Sequence, residues 1–349
     1  MNKVKFLAPA AVLFIAILLP AQPQAQIALL DSNYARDFFE RHYPACDPAG
    51  GSYYLGGDEY KRYFLGWQWV LEQQQLPFQI LKDEDITAEG LSGFRLLILS
   101  NNALLSVDQT RAVHQWVLRG GRLLATFGSG YKYLLCDPRE ADSWKVQRGG
   151  TFGLHQLWHD PVGKLFSTFW VDTGIHAGVD VRITRYEGPT ANLRLTGDIL
   201  HYGADSNILV QRPVNHHEVL AFLIFDNPDW KAPSPAIIST RQSKGLVVYF
   251  AFAPEYIVYK ELEYEDEDGL RARGWPVCRD TGNWTDRGAE PMDLMVGTLW
   301  YLLTAESKDP PGRQGKQLGR EPLLPSIGSV LTHAGSAGER AKPPRYEIR

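Results

Sequence analysis

The chain has 349 residues, a formal net charge of −4 and 44% hydrophobic residues. So small a charge on this length gives no reason to expect nucleic acid or an anionic membrane as a partner. Aromatic residues make up 12%, with ten Trp, which suits a packed core and leaves enough Trp and Tyr for surfaces that stack on sugars.

Lys3 and Lys5 form a basic start, Phe6 to Leu19 is an apolar run, Pro20 breaks it, and Ala25 is a suitable last residue before cleavage. This is the pattern of a secretory signal peptide over residues 1–25, with an uncleaved N-terminal anchor as the alternative. The expected location is therefore exported, periplasmic or extracellular, with no stable membrane insertion once the signal is removed. Residues 26–305 are long enough for one large core, and residues 306–349, rich in Pro, Gly, Lys and Arg, read as a disordered tail.

IALLDS, from Ile27, reads as the first strand and ends on Asp31, Ser32 and Asn33. Tyr43 to Tyr60 is too irregular for one element. Tyr60 to Gln75 has a helical stripe of Tyr63, Phe64, Trp67, Val70 and Leu71. PFQILKDEDI gives a second strand, with Asp83, Glu84 and Asp85 in the loop after it. LLILS, from Leu96, is apolar without alternation, as in a strand covered on both faces. A polar turn follows, then a helix beginning near Ser106 and Asp108, ended by Gly120 and Gly121, and a second buried strand, RLLATF. This is a βαβ unit, so its two strands are expected to be parallel.

Leu134 to Lys164 is expected to wrap the outside of the sheet. From Phe166 onward STFWVDTG, VDVRITRY, EVLAFLIFD, PAIISTRQ and GLVVYFAFAP read as strands joined in hairpins, and Met292 to Thr304 as a final helix. The fold class is α/β: a flavodoxin-like, mostly parallel sheet flanked by helices and elaborated by β-hairpins in its second half.

Four stretches, LLILSNNALLSVDQTRAVHQWVLRGGRLLATFGSG, GTFGLHQL from Gly150, VLAFL from Val219 and PAIISTRQSKGLVVYFAFAP from Pro235, occur in an order that resembles the class I glutamine amidotransferase-like fold. The closer likeness is to the trimerisation-type domains of bacterial beta-galactosidases and related secreted proteins. The resemblance implies a cysteine nucleophile at the turn after RLLATF, activated by a His and a carboxylate. This chain has Phe127-Gly128-Ser129-Gly130 there, so the catalytic cysteine is absent and Cys136 lies too far along. A Gly-x-Ser-x-Gly elbow also fails around Ser129.

Ligands gather at the carboxyl ends of parallel strands. The candidate ligand-binding residues are therefore Asp31, Asn33, Asn101, Asn102, Ser129 and Glu255, expected to line a shallow polar crevice suited to hydroxyl-rich ligands. No catalytic residue is assigned, and no metal or cofactor is expected. His216 with His217, His155 with His159, and Asp226 with Asp229 read as surface or turn residues, and the acidic run Glu261 to Asp268 as a solvated loop. The Asn283-Trp284-Thr285 sequon means little if the source is bacterial, as the signal and the resemblance imply. Cys46, Cys136 and Cys278 contain no CxxC, and their pairing is open. The function expected is a non-catalytic module for ligand binding or assembly, tied to envelope carbohydrate metabolism. The alternative is a hydrolase of sugar or peptide-like substrates acting through Asp31, Asn101, Ser129 and Glu255. The partners this allows are a saccharide, another protein or further copies of the chain.

Overall fold

A computed structural model of the chain describes residues 26–42, 57–130, 132–134, 165, 169–210, 218–225, 234–277 and 289–306. The three cysteines, the His pairs, Asp226 and Asp229, the sequon, residues 1–25, most of the 134–164 stretch and all of the expected tail after residue 306 lie outside these residues.

The apolar runs without alternation become the middle of one sheet. Strands β1 (Ile27–Leu30), β3 (Leu96–Ser100), β5 (Arg122–Thr126) and β11 (Gly245–Phe250) are buried at every position. Hydrophobic side chains on both faces of a strand need cover on both sides, which a central parallel strand receives. Strand β2 (Phe78–Leu81) lies at one edge with Gln79 and Ile80 exposed.

The nine-stranded sheet has the order β2-β1-β3-β5-β11-β10-β9-β7-β8. Its first five strands are parallel, in register Leu30 beside Leu81, Leu97 beside Ala28 and Leu123, and Val247 beside Leu123. From β11 onward the pairing is antiparallel, through β10 (Pro235–Gln242), β9 (Val219–Ile224), β7 (Phe169–Ile183) and β8 (Ile199–Val210). The hairpins thus extend the parallel sheet instead of forming a second layer. STFWVDTG and VDVRITRY are largely one long strand, β7. β8 was not anticipated, because its run of His201, Asp205, Ser206 and Asn207 hides its alternation.

The parallel strands taken in chain order stand as 2-1-3-4-5, the flavodoxin-like arrangement, and the winding reverses between β1 and β3. Strand β4 (Leu104–Ser106), in part of the segment expected as a polar turn, forms a small parallel pair with β6 (Lys132–Leu134).

Helix α1 (Asn33–His42) follows β1, and α2 (Gly57–Gln73) carries the expected aromatic stripe. Helix α3 (Val107–Leu118) opens on a capping box: Ser106 Oγ accepts from Gln109 N at 3.1 Å and Gln109 Oε1 accepts from Ser106 N at 2.7 Å. Gly120, at φ +117, ends it.

The acidic run read as a solvated loop is helical: it spans α4 (Pro254–Glu265) and α5 (Glu267–Ala272), and Glu263 within it is buried. Leu262 continues the helical stripe of Val258 and Tyr259, and Glu263 faces a buried cation instead of water. Helix α6 (Ala289–Thr304) closes the described chain. The guanidinium of Arg122, at the start of β5, donates to the carbonyls of Leu302 and Ala305, the electronegative end of that helix.

Helices α1, α2, α4 and α6 pack in series. The contact between α2 and α4 requires Gly66, where an added Cβ would sit 2.2 Å from the carbonyl oxygen of Glu255.

Candidate functional site

A parallel strand that stops leaves backbone groups needing new partners. At the carboxyl ends of β1, β2, β3, β5 and β11, short polar side chains take up that role.

At the first two ends, the register that puts Leu30 beside Leu81 also sets the next residues side by side. Asp31 N donates to Leu81 O at 2.9 Å, and Lys82 Nζ pairs with the Asp31 carboxylate. Lys82 puts a basic group at an edge expected to have none. Ser32 is fully buried and caps α1, its Oγ accepting from Ala35 N at 3.0 Å and donating to Asp83 Oδ1 at 2.7 Å. Asp83 Oδ2 accepts from Tyr34 N at 3.1 Å, so this carboxylate faces the positive end of α1. Burial pushes its carboxyl above the ordinary value, and the bonds from Ser32 and the α1 backbone pull it back. Asn33 is half-buried in the first turn of α1.

Tyr60 of α2 links these ends to β3. Its phenol accepts from Ser32 N at 2.9 Å and from Asn102 Nδ2 at 2.8 Å, and donates to Leu30 O at 3.3 Å. Asn102 N donates to Ser129 Oγ at 3.1 Å, and that hydroxyl donates to the carbonyls of Leu99 and Thr126, both at 2.8 Å.

Two non-glycine residues take positive φ on neighbouring strand ends, Asn101 at +49° and Phe127 at +46°. Asn tolerates this conformation, whereas an aromatic residue there is a strained exception. Surrounding bonds fix both. Asn101 Oδ1 accepts from Gly128 N at 3.0 Å, Asn101 N donates to Thr126 Oγ1 at 3.3 Å, and Tyr249 donates to Phe127 O at 2.5 Å. The Phe127 ring stacks on Tyr63, centroids 6.1 Å apart, and Tyr63 stacks on Tyr256 at 5.0 Å.

Glu255, in the first turn of α4, completes the junction. Its Oε1 accepts from Ser100 Oγ at 3.1 Å and from Thr126 Oγ1, so one carboxyl oxygen joins the ends of β3 and β5. Its Oε2 and Trp67 Nε1 make no hydrogen bond of normal geometry, although the indole N–H lies near enough to favour the charged carboxylate. Burial pushes this carboxyl up to about 8, against weaker lowering by the Thr126 hydroxyl, its own backbone N–H, Ser100 and the Trp67 indole. Asn101 Nδ2 and Asn102 Oδ1 are also buried without a partner. Each such atom costs about 1–3 kcal/mol unless a bound molecule satisfies it.

The candidate residues therefore converge on one edge, but not as an open crevice. Asn101 is 1% exposed, and Asn102, Ser129 and Glu255 are fully buried. The reason is local: these side chains stand in for strand partners where pairing stops, so they point into the backbone they satisfy. What reaches solvent is Asp31, Lys82 and part of Asn33. Residue-type reasoning missed Tyr60, Asp83 and Thr126. The position of Asp83 just beyond the strand that pairs with β1 was the signal that could have found it. Among the described residues no group of three or more His, Cys, Asp or Glu is placed to hold a metal, and no helix is long and apolar enough to cross a membrane.

No protein-family model matches the sequence, and no match was found among curated proteins. Among solved structures, the chain is similar to a beta-galactosidase from Bacillus circulans sp. alkalophilus, at 16% identity and TM-score 0.48, over 76% of this chain and 33% of that one. It is similar to a GH42 beta-galactosidase from G. stearothermophilus, at 15% and 0.46, over 73% and 31%. A ThuA-like protein from Bacteroides uniformis is similar at 13% and 0.46, over 83% of this chain and 98% of that one. The chain thus spans about a third of the length of those beta-galactosidases.

Proposed function

We propose that this chain is an exported, non-catalytic module of the amidotransferase-like kind, binding a hydroxyl-rich ligand at the carboxyl ends of its parallel strands in envelope carbohydrate metabolism. The observation that carries this reading is the turn after β5. The residue there with the strained, positive-φ backbone is Phe127, and an aromatic ring has no lone pair to attack a carbonyl and no proton for a base to take. The hydroxyl two residues on, at Ser129, is held by two carbonyls and one N–H. The solvent-facing groups at the same edge, Asp31, Lys82 and Asn33, are hydrogen-bonding groups of mixed charge, which suit a saccharide better than a phosphate.

Calorimetric or NMR titration with envelope sugars tests the reading. Weak binding is expected, reduced by Asp31→Ala and Asn33→Ala, with ammonia release from glutamine undetectable. Tight nucleotide or phosphate binding would overturn it, and so would glutaminase activity lost in Cys136→Ala. Export is tested by the N-terminus of the native protein, expected near Gln26. The hydrolase reading has one observation on its side: Glu255 is a carboxyl held largely neutral near pH 7, as a general acid must be. Turnover of aryl glycosides that is lost in Glu255→Gln and kept in Asn33→Ala would favour it.

A further inference from the structure

The chain's own Asp83 stands where this fold would otherwise receive an anion. The winding reverses between β1 and β3, and at such a switch point the crevice beyond the strand ends is the usual ligand position. Helix α1 begins there, and the free N–H groups of a first helical turn attract anions. We propose, building on the ligand-binding reading above, that Asp83 is the specificity determinant of this edge. Its carboxylate fills the anion position at the start of α1, so the crevice refuses phosphates and carboxylates and accepts ligands that donate hydrogen bonds.

The four N–H groups at that helix start all have partners within the chain. Asp83 Oδ1 accepts from Ser32 Oγ at 2.7 Å and Oδ2 accepts from Tyr34 N at 3.1 Å, with the Asn33 N–H directed at the same carboxylate. Bonds donated to a carboxylate favour its charged form. Ala35 N donates to Ser32 Oγ at 3.0 Å, and Arg36 N to Ser32 O at 3.1 Å. The Asp83 backbone is held from a further side, because Gln109 Nε2 of α3 donates to its carbonyl at 2.8 Å. Asp83 is 3% exposed, so an arriving anion would meet a buried negative charge in place of free N–H groups. A further carboxylate, Asp31, lies at the same strand ends, paired with Lys82.

Asn102, at the end of β3, points to what the crevice takes instead. Tyr60 accepts from Ser32 N and gives its one proton to Leu30 O. The Asn102 group that meets this phenol, at 2.8 Å, is therefore the Nδ2 donor, which leaves Oδ1 on the other side of the amide. Asn102 is fully buried, and that Oδ1 has no hydrogen-bond partner. An unmatched acceptor one phenol away from the start of α1 is satisfied by a donor such as a hydroxyl, and it repels the oxygens of a phosphate or carboxylate ion.

Full-length Asp83→Ala tests this. Formate, which replaces the lost carboxylate, and inorganic phosphate should each bind the variant at least tenfold more tightly than wild type. The melting temperature of the variant should rise with either anion and not with chloride at matched ionic strength, and the amide resonances of Ser32 and Tyr34 should move in the same titrations. A folded variant that gains neither anion overturns the proposal, and so does a wild type stabilised equally by formate. If Asp83→Ala is unfolded in chloride buffer, recovery of the native fold on adding formate supports the proposal, and no recovery overturns it. Sugar titration of the wild type succeeds or fails separately, because it bears on the ligand-binding reading and not on what fills the start of α1.

Discussion

Helix α4 carries two buried ionisable regions that deal with burial in opposite ways. Along its later turns, Lys260 and Glu263 meet Glu59 and Arg62 of α2 in a cluster of two cations and two carboxylates. Tyr256 lies beside it, with Arg62 5.9 Å from its ring centroid. At the first turn of the same helix, Glu255 has hydroxyls and no ion pair. The difference teaches what a buried carboxyl can be. In the first region burial raises Glu59 while Arg62 and Lys260 act to keep it charged. In the second, nothing charged opposes burial, and the carboxyl retains its proton near neutrality. The balanced cluster holds two helices together, and the lone carboxyl joins two strand ends through hydroxyls.

The largest test of this contrast is Arg62→Ala. Removing the cation leaves two buried carboxylates with only Lys260 to offset them, and a loss of about 3–5 kcal/mol is expected in urea denaturation at pH 7. A loss below about 1 kcal/mol would mean that the cluster is solvated and that the two regions do not differ as described.

Next is the pH dependence of Glu255. Its folded value, about 8, lies above its ordinary 4.5. The folded state then holds a proton the unfolded chain has lost, so this stabilisation is complete below about pH 4.5 and is lost as pH rises toward 8. Thermal melts of wild type against Glu255→Gln should diverge across that window, by about 1.4 kcal/mol per pH unit at most, wild type being the one that declines. Parallel pH profiles would remove the distinction.

Gly66→Ala asks whether the two regions are mechanically linked. The new methyl would press on the Glu255 carbonyl and push α4 from α2, at a cost of about 1–3 kcal/mol. It should weaken both regions at once, seen as faster hydrogen exchange in both halves of α4. Loss confined to one half would show that they are independent. The smallest effect is expected for Lys82→Ala. Its pair with Asp31 is partly exposed, so stability should change by no more than about 1 kcal/mol. A larger loss would mean that solvent-facing pairs at this edge matter as much as the buried ones.

The sequence by itself determined the parallel half of the sheet. Short unbroken apolar runs such as LLILS and RLLAT, bounded by polar and Gly-rich turns, favour doubly covered strands, and Ser106, Gln109 and Gly120 mark both ends of the helix between them. It also placed Asp31, Asn101, Asn102, Ser129 and Glu255 at one edge, because parallel strands share a direction. Tertiary structure alone decided which way those side chains face. Whether Asn102 meets solvent or the phenol of Tyr60 depends on a helix 42 residues earlier, and the raised carboxyl of Glu255 depends on its full burial among elements distant in sequence, such as β3 and β5. The acidic run shows the same limit. Its charges look solvated until α2 brings Arg62 against Glu263 across 201 residues. Local pattern records which residues favour a strand or a helix, whereas burial, hydrogen bonding and protonation are set by groups that only the fold brings together.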